Sequence, residues 1–489
     1  MTEFLTNLAE YNDVVNTFVW TTLGLVLLLF TGVLTTVLTK FFQVSHIALW
    51  WKKTIGSLFN KEVIAHSNDK SISPFQALCT ALAATIGVGN IAGVAAAICI
   101  GGPGAVFWMW VAAFFGMMTN YSENVLGIYY RRKNEDGEWS GGAMYYLRDG
   151  LGSKKGCKGI GKVLAVLFSI FTLLASFGIG AMGQINKIVV NIESAFPVAS
   201  LANVQLYEGV TLYSVVIGVV LVVIAALIVL GGLKRIASFA EKVVPFMVVL
   251  FIVGSVVIVG INYANIIPAF KAIFVTAFKP IAVAGGATGA LIRQVMVHSN
   301  SNVKEPVQQG MWGIFEVFAD TMVVCTLTAL VVLTSGRYNL ADGTFLGTDA
   351  TMVADVFNSV FSFANIGSKF VAIAILLFAF TTVLGWDHYG SKAWEFLFGV
   401  KSIKVYKVIH LVMIMFGALL TSSLAWDISD TFNGLMMIPN LIGVVVLSGQ
   451  VMKITKNYID RKIRHKDVEP ILSAIPEIQE ETAKNLGDE

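Results

Sequence analysis

Eleven stretches of this chain are apolar and long enough to be candidates for crossing a bilayer, which leaves few folds open. They lie near 17–39, 75–100, 103–128, 161–190, 211–231, 243–262, 281–297, 311–334, 366–386, 405–424 and 432–452. A helix crosses the hydrocarbon in about 20 mostly apolar residues. Only helices and closed barrels satisfy their backbone polar groups there. Of the 489 residues, 56% are hydrophobic and 13% charged, where a soluble domain carries about 25% charge. A soluble enzyme and a disordered chain are both excluded. The first stretch does not resemble a cleavable signal, because no basic segment precedes it and no small-x-small site follows. The net charge of +3, spread over short loops, points to no nucleic-acid partner. Cys79, Cys99, Cys157 and Cys325 show no metal-ligand spacing, and three of them fall in apolar stretches as small hydrophobes.

Loop charge orients the spans. Cytoplasmic loops collect Lys and Arg. The N-terminal segment has Glu3, Glu10 and Asp13 and no basic residue. Lys40, Lys52 and Lys53 follow the first span, Arg131, Arg132 and Lys133 the third, Lys234 and Arg235 the fifth, and Lys392, Lys401 and Lys404 the ninth. The tail carries Lys453, Lys456, Arg461 and Lys462, whereas 191–210 has no Lys or Arg. The expectation is an all-α polytopic membrane protein with its N-terminus outside, its C-terminus inside and about eleven spans.

Two spans are interrupted by glycine. One carries Thr85-Ile86-Gly87-Val88-Gly89-Asn90, the other Gly285-Gly286-Ala287-Thr288-Gly289. A broken helix frees backbone groups, which is tolerated only beside protein or a water-filled cavity. Paired breaks in matching places of two halves point to a transporter site. With the first span set aside, each break falls in the first helix of a group of five, the layout of a 5+5 inverted repeat. The same glycines have a second explanation, close helix packing, since Gly89 and Gly93 form a small-xxx-small pair.

Polar groups at bilayer depth are costly and usually functional. Gln184 and Asn186 lie inside the fourth span, Thr381 and Thr382 inside the ninth. Two adjacent hydroxyls opposite the carbonyls of an unwound helix would supply oxygen ligands for a small hard cation. Alternatively each hydroxyl bonds back to its own helix. Glu123, Glu316, Asp320, Lys187 and Arg293 fall near span ends, where snorkelling or local pairing is expected. Gly178 to Gly183 spells GxGxxG, but inside an apolar helix without a preceding strand, so a dinucleotide site is excluded. No HExxH, GxSxG or Walker A sequence occurs, so neither an enzyme nor an ATP-driven pump is indicated, and no organic cofactor is expected.

Pro74 to Val94 (PFQALCTALAATIGVGNIAGV) and Gly101 to Val111 (GGPGAVFWMWV) closely resemble the alanine or glycine:cation symporter family, the sodium:alanine symporters. Lys234 to Ala237 with Glu241 and Pro245, Asp320-Thr321, Cys325-Thr326 and Leu384 to Trp386 agree. The resemblance covers nearly the whole chain. It implies a leucine-transporter-type fold with one extra N-terminal helix, and sodium-driven import of a small neutral amino acid across the plasma membrane. Its partners would be the amino acid, sodium and the lipid bilayer, with no obligate protein partner.

The implied units are a first helix and connector (1–73), two five-helix repeats (74–265 and 266–455) and a cytoplasmic tail (456–489). Carried over by residue, Thr85, Gly87, Val88, Gly89 and Asn90 would meet the substrate from the first break. Gly285, Gly286 and Ala287 would do so from the second, with Gln184, Thr382 and Trp386 completing the pocket. Sodium would lie among the carbonyls of Ala83, Ile86 and Phe378 and the hydroxyls of Thr381 and Thr382. Asn90 would serve a possible second sodium.

The family usually has Thr or Ser at Val88, so a polar side chain is lost at the break, and Phe at Ala287, so this pocket is expected to be larger. A stretch the family carries after the second break is absent here, where Ile292 to Asn302 runs straight on to Pro306. The rival class is a non-transporting binder or sensor on the same fold, and a proton could replace sodium as the coupling ion.

Overall fold

A capping box starts the helix that matters most. Ser73 Oγ accepts from the Gln76 N–H at 3.1 Å, Gln76 Oε1 accepts from the Ser73 N–H at 3.1 Å, and Pro74 takes the first helical position. These devices fix an N-terminus and bring helix α2, Pro74–Thr85, into the bundle in one register. The computed structural model describes residues 2–58, 71–207, 209–280, 282, 298–339, 352–420 and 423–486.

Helix α1 is Asn7–Leu38, and α2 is followed by α3, Ala92–Gly101, and α4, Gly104–Tyr129. Then come α5, Lys158–Ala195, α6, Leu212–Val229, α7, Gly232–Ile261, and α8, Pro306–Thr334. The last three long helices are α9, Ile366–Phe398, α10, Ile403–Leu419, and α11, Ser423–Lys462. Among the described residues, eight helices are long and apolar enough to cross a membrane, or nine spans if the α3–α4 pair counts as one. That pair is bent by 120° at Gly102, whose φ of 68° is readily available to glycine. The stretch near 75–100 is divided between α2 and α3, and the one near 281–297 falls almost wholly outside the described residues. The chain is a multi-pass membrane protein, and the expected eleven spans are not counted out here.

Two differences from the apolar stretches are informative. Helix α7 begins at Gly232, well before 243, because Lys234, Arg235, Glu241 and Lys242 are carried on its first turns. Helix α9 runs on past Trp386 to Phe398 for the same reason. Hydropathy marks the buried centre of a long helix, whereas its charged ends reach the interface.

Among the described residues, the packed interior holds two large hydrophobic clusters and a small third one of Leu28, Met437 and Leu441. Of the large two, one gathers α2, α3, α6, α7 and the adjoining parts of α8 and α9; the other gathers α4, α5, α11 and the rest of α8. The outward faces stay apolar: Leu227 is 65% exposed, Phe246 60% and Val253 57%. Such continuous apolar surface fits lipid and would be a liability in water.

Among the described residues, strand is confined to two small hairpins. Arg132–Lys133 pairs antiparallel with Trp139–Ser140, and Gln205–Tyr207 with Val210–Thr211. Near the first hairpin, Arg131 donates to the carbonyls of Ser299, Ser301 and Val303, and Ile72 bridges to Ser301. The tail folds back there, with Ala474 N–H on the Tyr129 carbonyl at 2.8 Å and Arg461 gripping Glu305 through two bonds of 2.8 Å.

Candidate substrate and cation site

The first predicted break is present. Helix α2 ends at Thr85, Ile86 is extended (φ −74°, ψ 94°), and one 3₁₀ turn over Val88–Asn90 leads to α3. In an unbroken helix the Ala83 carbonyl would accept from the Gly87 N–H and the Ile86 carbonyl from the Asn90 N–H. Here Gly87 N–H donates to Asn90 Oδ1 at 3.0 Å, and Asn90 N–H to the Gly87 carbonyl at 3.2 Å. Both carbonyls are thereby released from the helix ladder.

Thr382 on α9 meets them. Its Oγ1 lies 2.9 Å from the Ala83 carbonyl oxygen, 3.5 Å from that of Ile86 and 2.8 Å from that of Phe378. Ala83, Ile86, Phe378 and Thr382 are all buried. A hydroxyl carries one proton and can donate it to one of the three. The two carbonyls freed by the break thus gather with the Phe378 carbonyl around one hydroxyl, an oxygen-rich donor set that fits a small hard cation.

Thr381 is oriented differently. It back-bonds to the Leu377 carbonyl at 2.9 Å and the Phe378 carbonyl at 3.0 Å, and donates to Met247 Sδ of α7 at 3.6 Å. Both explanations of the Thr pair therefore apply, back-bonding for both and reach across to the broken helix for Thr382 alone. An apolar cavity of about 350 Å³ between α5, α6, α7 and α9 reaches Thr381 from the far side.

Gly87 is the hinge of the arrangement. A Cβ there would stand 2.8 Å from Thr382 Oγ1 and 3.5 Å from Gln184 Oε1. The break, the fourth-span amide and the ninth-span hydroxyl thus converge. Gln184 is buried; its Nε2 donates to the Ile179 carbonyl at 3.3 Å, and its Oε1 has no hydrogen-bond partner. The amide follows a π-wound turn, Gly178–Met182, of the kind often found at functional sites. Among the described residues, a Cβ at Gly89 or Gly93 would meet nothing within 4 Å.

Other expected residues are placed further off. Trp386 is fully buried and packs on Gly180, where a Cβ would meet its ring at 2.6 Å, one turn before Gln184. Thr85 back-bonds to Ala81 at 2.8 Å and faces Glu316 Oε1 at 3.4 Å, toward α8. Val88 is part of the apolar core, and Asn186 bonds to the Leu420 carbonyl at 2.8 Å. Gly285, Gly286, Ala287 and Arg293 lie outside the described residues.

Asp320 is the residue that sequence reasoning underrated. Asn90 Nδ2 donates to its Oδ1 at 2.7 Å and contacts Cys325 Sγ at 3.3 Å. Both partners come from a second π-wound stretch, Phe318–Cys325, in the middle of α8. Glu316 is buried too, bonded to Asn120 at 2.9 Å and His298 at 3.0 Å, and Glu123 is bonded to Asn440 at 2.6 Å. Local pairing holds for these carboxyls and snorkelling does not. The signal was a carboxylate in the interior of an apolar helix.

The model of the sodium:alanine symporter family matches residues 5–472. The sodium/alanine symporter AgcS of Methanococcus maripaludis is 40% identical over 462 residues, 91% of this chain and 96% of that protein. A Bacillus subtilis protein named "Probable sodium/glutamine symporter GlnT" is 35% identical, over 93% of this chain and 91% of its own. The crystal structure of a manganese transporter of Eremococcus coleocola aligns with 87% of each chain at 11% identity and a TM-score of 0.47, too loose a likeness to argue from. By the family match over nearly its whole length, this chain belongs to the sodium:alanine symporter family.

Proposed function

We propose that this protein carries a small neutral amino acid (alanine, glycine or glutamine) across the plasma membrane together with sodium, by alternating access. The observation that supports it most is the Thr382 hydroxyl among the carbonyls of Ala83, Ile86 and Phe378. A cation there ties the broken helix to α9, so that sodium binding shapes the substrate pocket. The free backbone N–H groups of a helix break suit a carboxylate. In this scheme the Gly87–Gly89 turn holds the substrate carboxylate and the Gln184 Oε1 accepts from its ammonium group. Thr382 and Trp386 close the pocket from α9.

The fold proposed for this cycle is the 5+5 inverted repeat, residues 74–265 and 266–455, with one preceding helix, N-terminus outside and C-terminus inside. Names of relatives, one a sodium/alanine and one a sodium/glutamine symporter, support a cation-coupled amino-acid carrier. They favour this scheme over a non-transporting sensor. The small Ala287 is proposed to leave room for side chains longer than a methyl group. Equilibrium binding of labelled alanine, glycine and glutamine to the purified protein, in sodium and in potassium, tests the assignment. Saturable binding that requires sodium is expected, and equal binding in both salts would refute sodium coupling.

A further inference from the structure

A second buried polar group lies deeper along α9. Asp387 is five residues past Thr382, about 7.5 Å along the helix axis. It is 1% exposed, and among the described residues neither carboxylate oxygen accepts a hydrogen bond. An ionised carboxylate in that state is much costlier than a neutral carboxyl, which forfeits only its hydrogen bonds to water.

The surroundings form a polar seam between α5, α9 and α10. Tyr406 of α10 is within electrostatic reach of Asp387; its hydroxyl donates to Ser176 Oγ of α5 at 3.1 Å and lies 3.4 Å from His410 Nδ1. His410 is fully buried, its ring against the Val383 carbonyl one turn before Asp387, and its Nε2 makes no hydrogen bond. Gly390, three residues past Asp387 and on the same face, makes room for this pair. A Cβ there would fall 2.0 Å from the Tyr406 hydroxyl and 2.5 Å from Ser176 Oγ.

Among the described residues, the charged side chain that acts on Asp387 is Lys407 of α10, and its Nζ donates to the Val229 carbonyl at 2.7 Å. From α5 comes only the Ser176 hydroxyl. Of the other titratable groups of α9, His388 turns to Asn300 at 3.1 Å and Lys392 to Glu395 at 2.9 Å, and the buried Tyr389 sets its ring edge-on to Trp386.

We propose that Asp387 is a proton-binding site that loads and unloads during the transport cycle, distinct from the Thr382 cation site and linked to it through α9. A metal ion would need several oxygens around it, whereas a proton needs one. Loading is the addition of one proton to one carboxylate oxygen, with no change in redox state. In the sealed seam Asp387 holds the proton; when α5 and α10 part enough to admit water, the hydrated carboxylate releases it. The His410 imidazole and the Tyr406 hydroxyl stand where a relay to water would run. Linkage then makes amino-acid binding depend on pH and proton binding depend on amino acid, by the same factor. The inference rests on the transporter assignment above.

The test compares the full-length protein with Asp387→Asn, which mimics the loaded state. Infrared difference spectra across mildly acidic to alkaline pH, in sodium, read the protonated-carboxyl band directly. A band present in the wild type, absent in Asp387→Asn and lost as pH rises is expected. A difference spectrum showing carboxylate throughout, or a neutral carboxyl that never titrates, would overturn the proposal, whatever the protein transports. Labelled alanine binding at saturating sodium gives the functional half. Wild-type affinity should change by about fivefold over the range, and Asp387→Asn should stay at the acidic value. The same pH profile in both, or none in the wild type, would overturn the linkage. Failure of all alanine binding would instead count against the transporter assignment and leave the infrared result standing. Asp387→Ser replaces Asp387→Asn if the amide variant does not fold.

Discussion

The Thr382 hydroxyl oxygen stands 2.9 Å from the Ala83 carbonyl oxygen, 299 positions away in the chain. The contact exists because α2 stops: the N–H that would have occupied that carbonyl, Gly87's, is bonded to Asn90 instead. A break in one helix and a hydroxyl on another thus make a single oxygen cluster, on which the proposed sodium dependence turns.

The two threonines should separate in experiment. Thr382→Val keeps the shape and deletes the α9 hydroxyl that meets the Ala83 and Ile86 carbonyls. It is expected to raise the sodium concentration for half-maximal alanine binding at least tenfold, about 1.4 kcal/mol. Thr381→Val removes a hydroxyl bonded to its own helix and to Met247, and should shift that concentration less than about threefold. Sodium titrations of alanine binding on both variants check this; equal shifts would place Thr381 at the ion as well.

Gln184→Leu removes a buried acceptor with no partner. Leaving such a group unsatisfied costs about 1–3 kcal/mol, so the variant should melt at the wild-type temperature or above. Its alanine affinity should still fall at least tenfold, about 1.4 kcal/mol. Thermal unfolding together with equilibrium binding separates the two effects. A drop in melting temperature with unchanged affinity would make Gln184 a packing residue.

The break glycines give an opposed pair. Gly89→Ala places its methyl where nothing lies within 4 Å, so folding should be unaffected while the methyl competes with bound substrate. Alanine affinity should weaken, and glycine should be tolerated better than alanine. Gly87→Ala pushes its methyl to 2.8 Å from Thr382 Oγ1 and should lower sodium and substrate affinity together. Competition binding with glycine and alanine reads both; an unaltered ranking in Gly89→Ala would move the substrate off this turn.

Asn90 and Asp320 should couple energetically. Asn90→Asp sets a second carboxylate about where Nδ2 now donates at 2.7 Å, a like-charge contact in a low-dielectric interior. That variant should lose stability, and Asp320→Asn added to it should restore most of the loss. A double-mutant cycle on thermal unfolding should give an interaction of about 1–3 kcal/mol. Additive effects would mean the two side chains do not bear on one another.

What was legible in the sequence was local. The glycines and the apolar runs act over a few residues, so the first break and most spans could be located from them. Asp320 shows the limit. It lies near the middle of its helix, Pro306–Thr334, as it does in the apolar stretch 311–334, yet what it pairs with is not written there. Its partner, Asn90, is 230 positions away, and no periodicity reports such a distance. Thr381 and Thr382 show the same limit at finer scale. They are neighbours of identical chemistry, and only the packing of α7 against one and α2 against the other distinguishes them.

Uptake of labelled alanine into proteoliposomes under an imposed inward sodium gradient tests the central claim most directly, with wild type and Thr382→Val side by side. The account predicts concentrative uptake in the wild type that collapses when the gradient is dissipated, and in the variant a sodium requirement raised at least tenfold, about 1.4 kcal/mol. Uptake indifferent to the sodium gradient, or a variant with the wild-type sodium requirement, would contradict it.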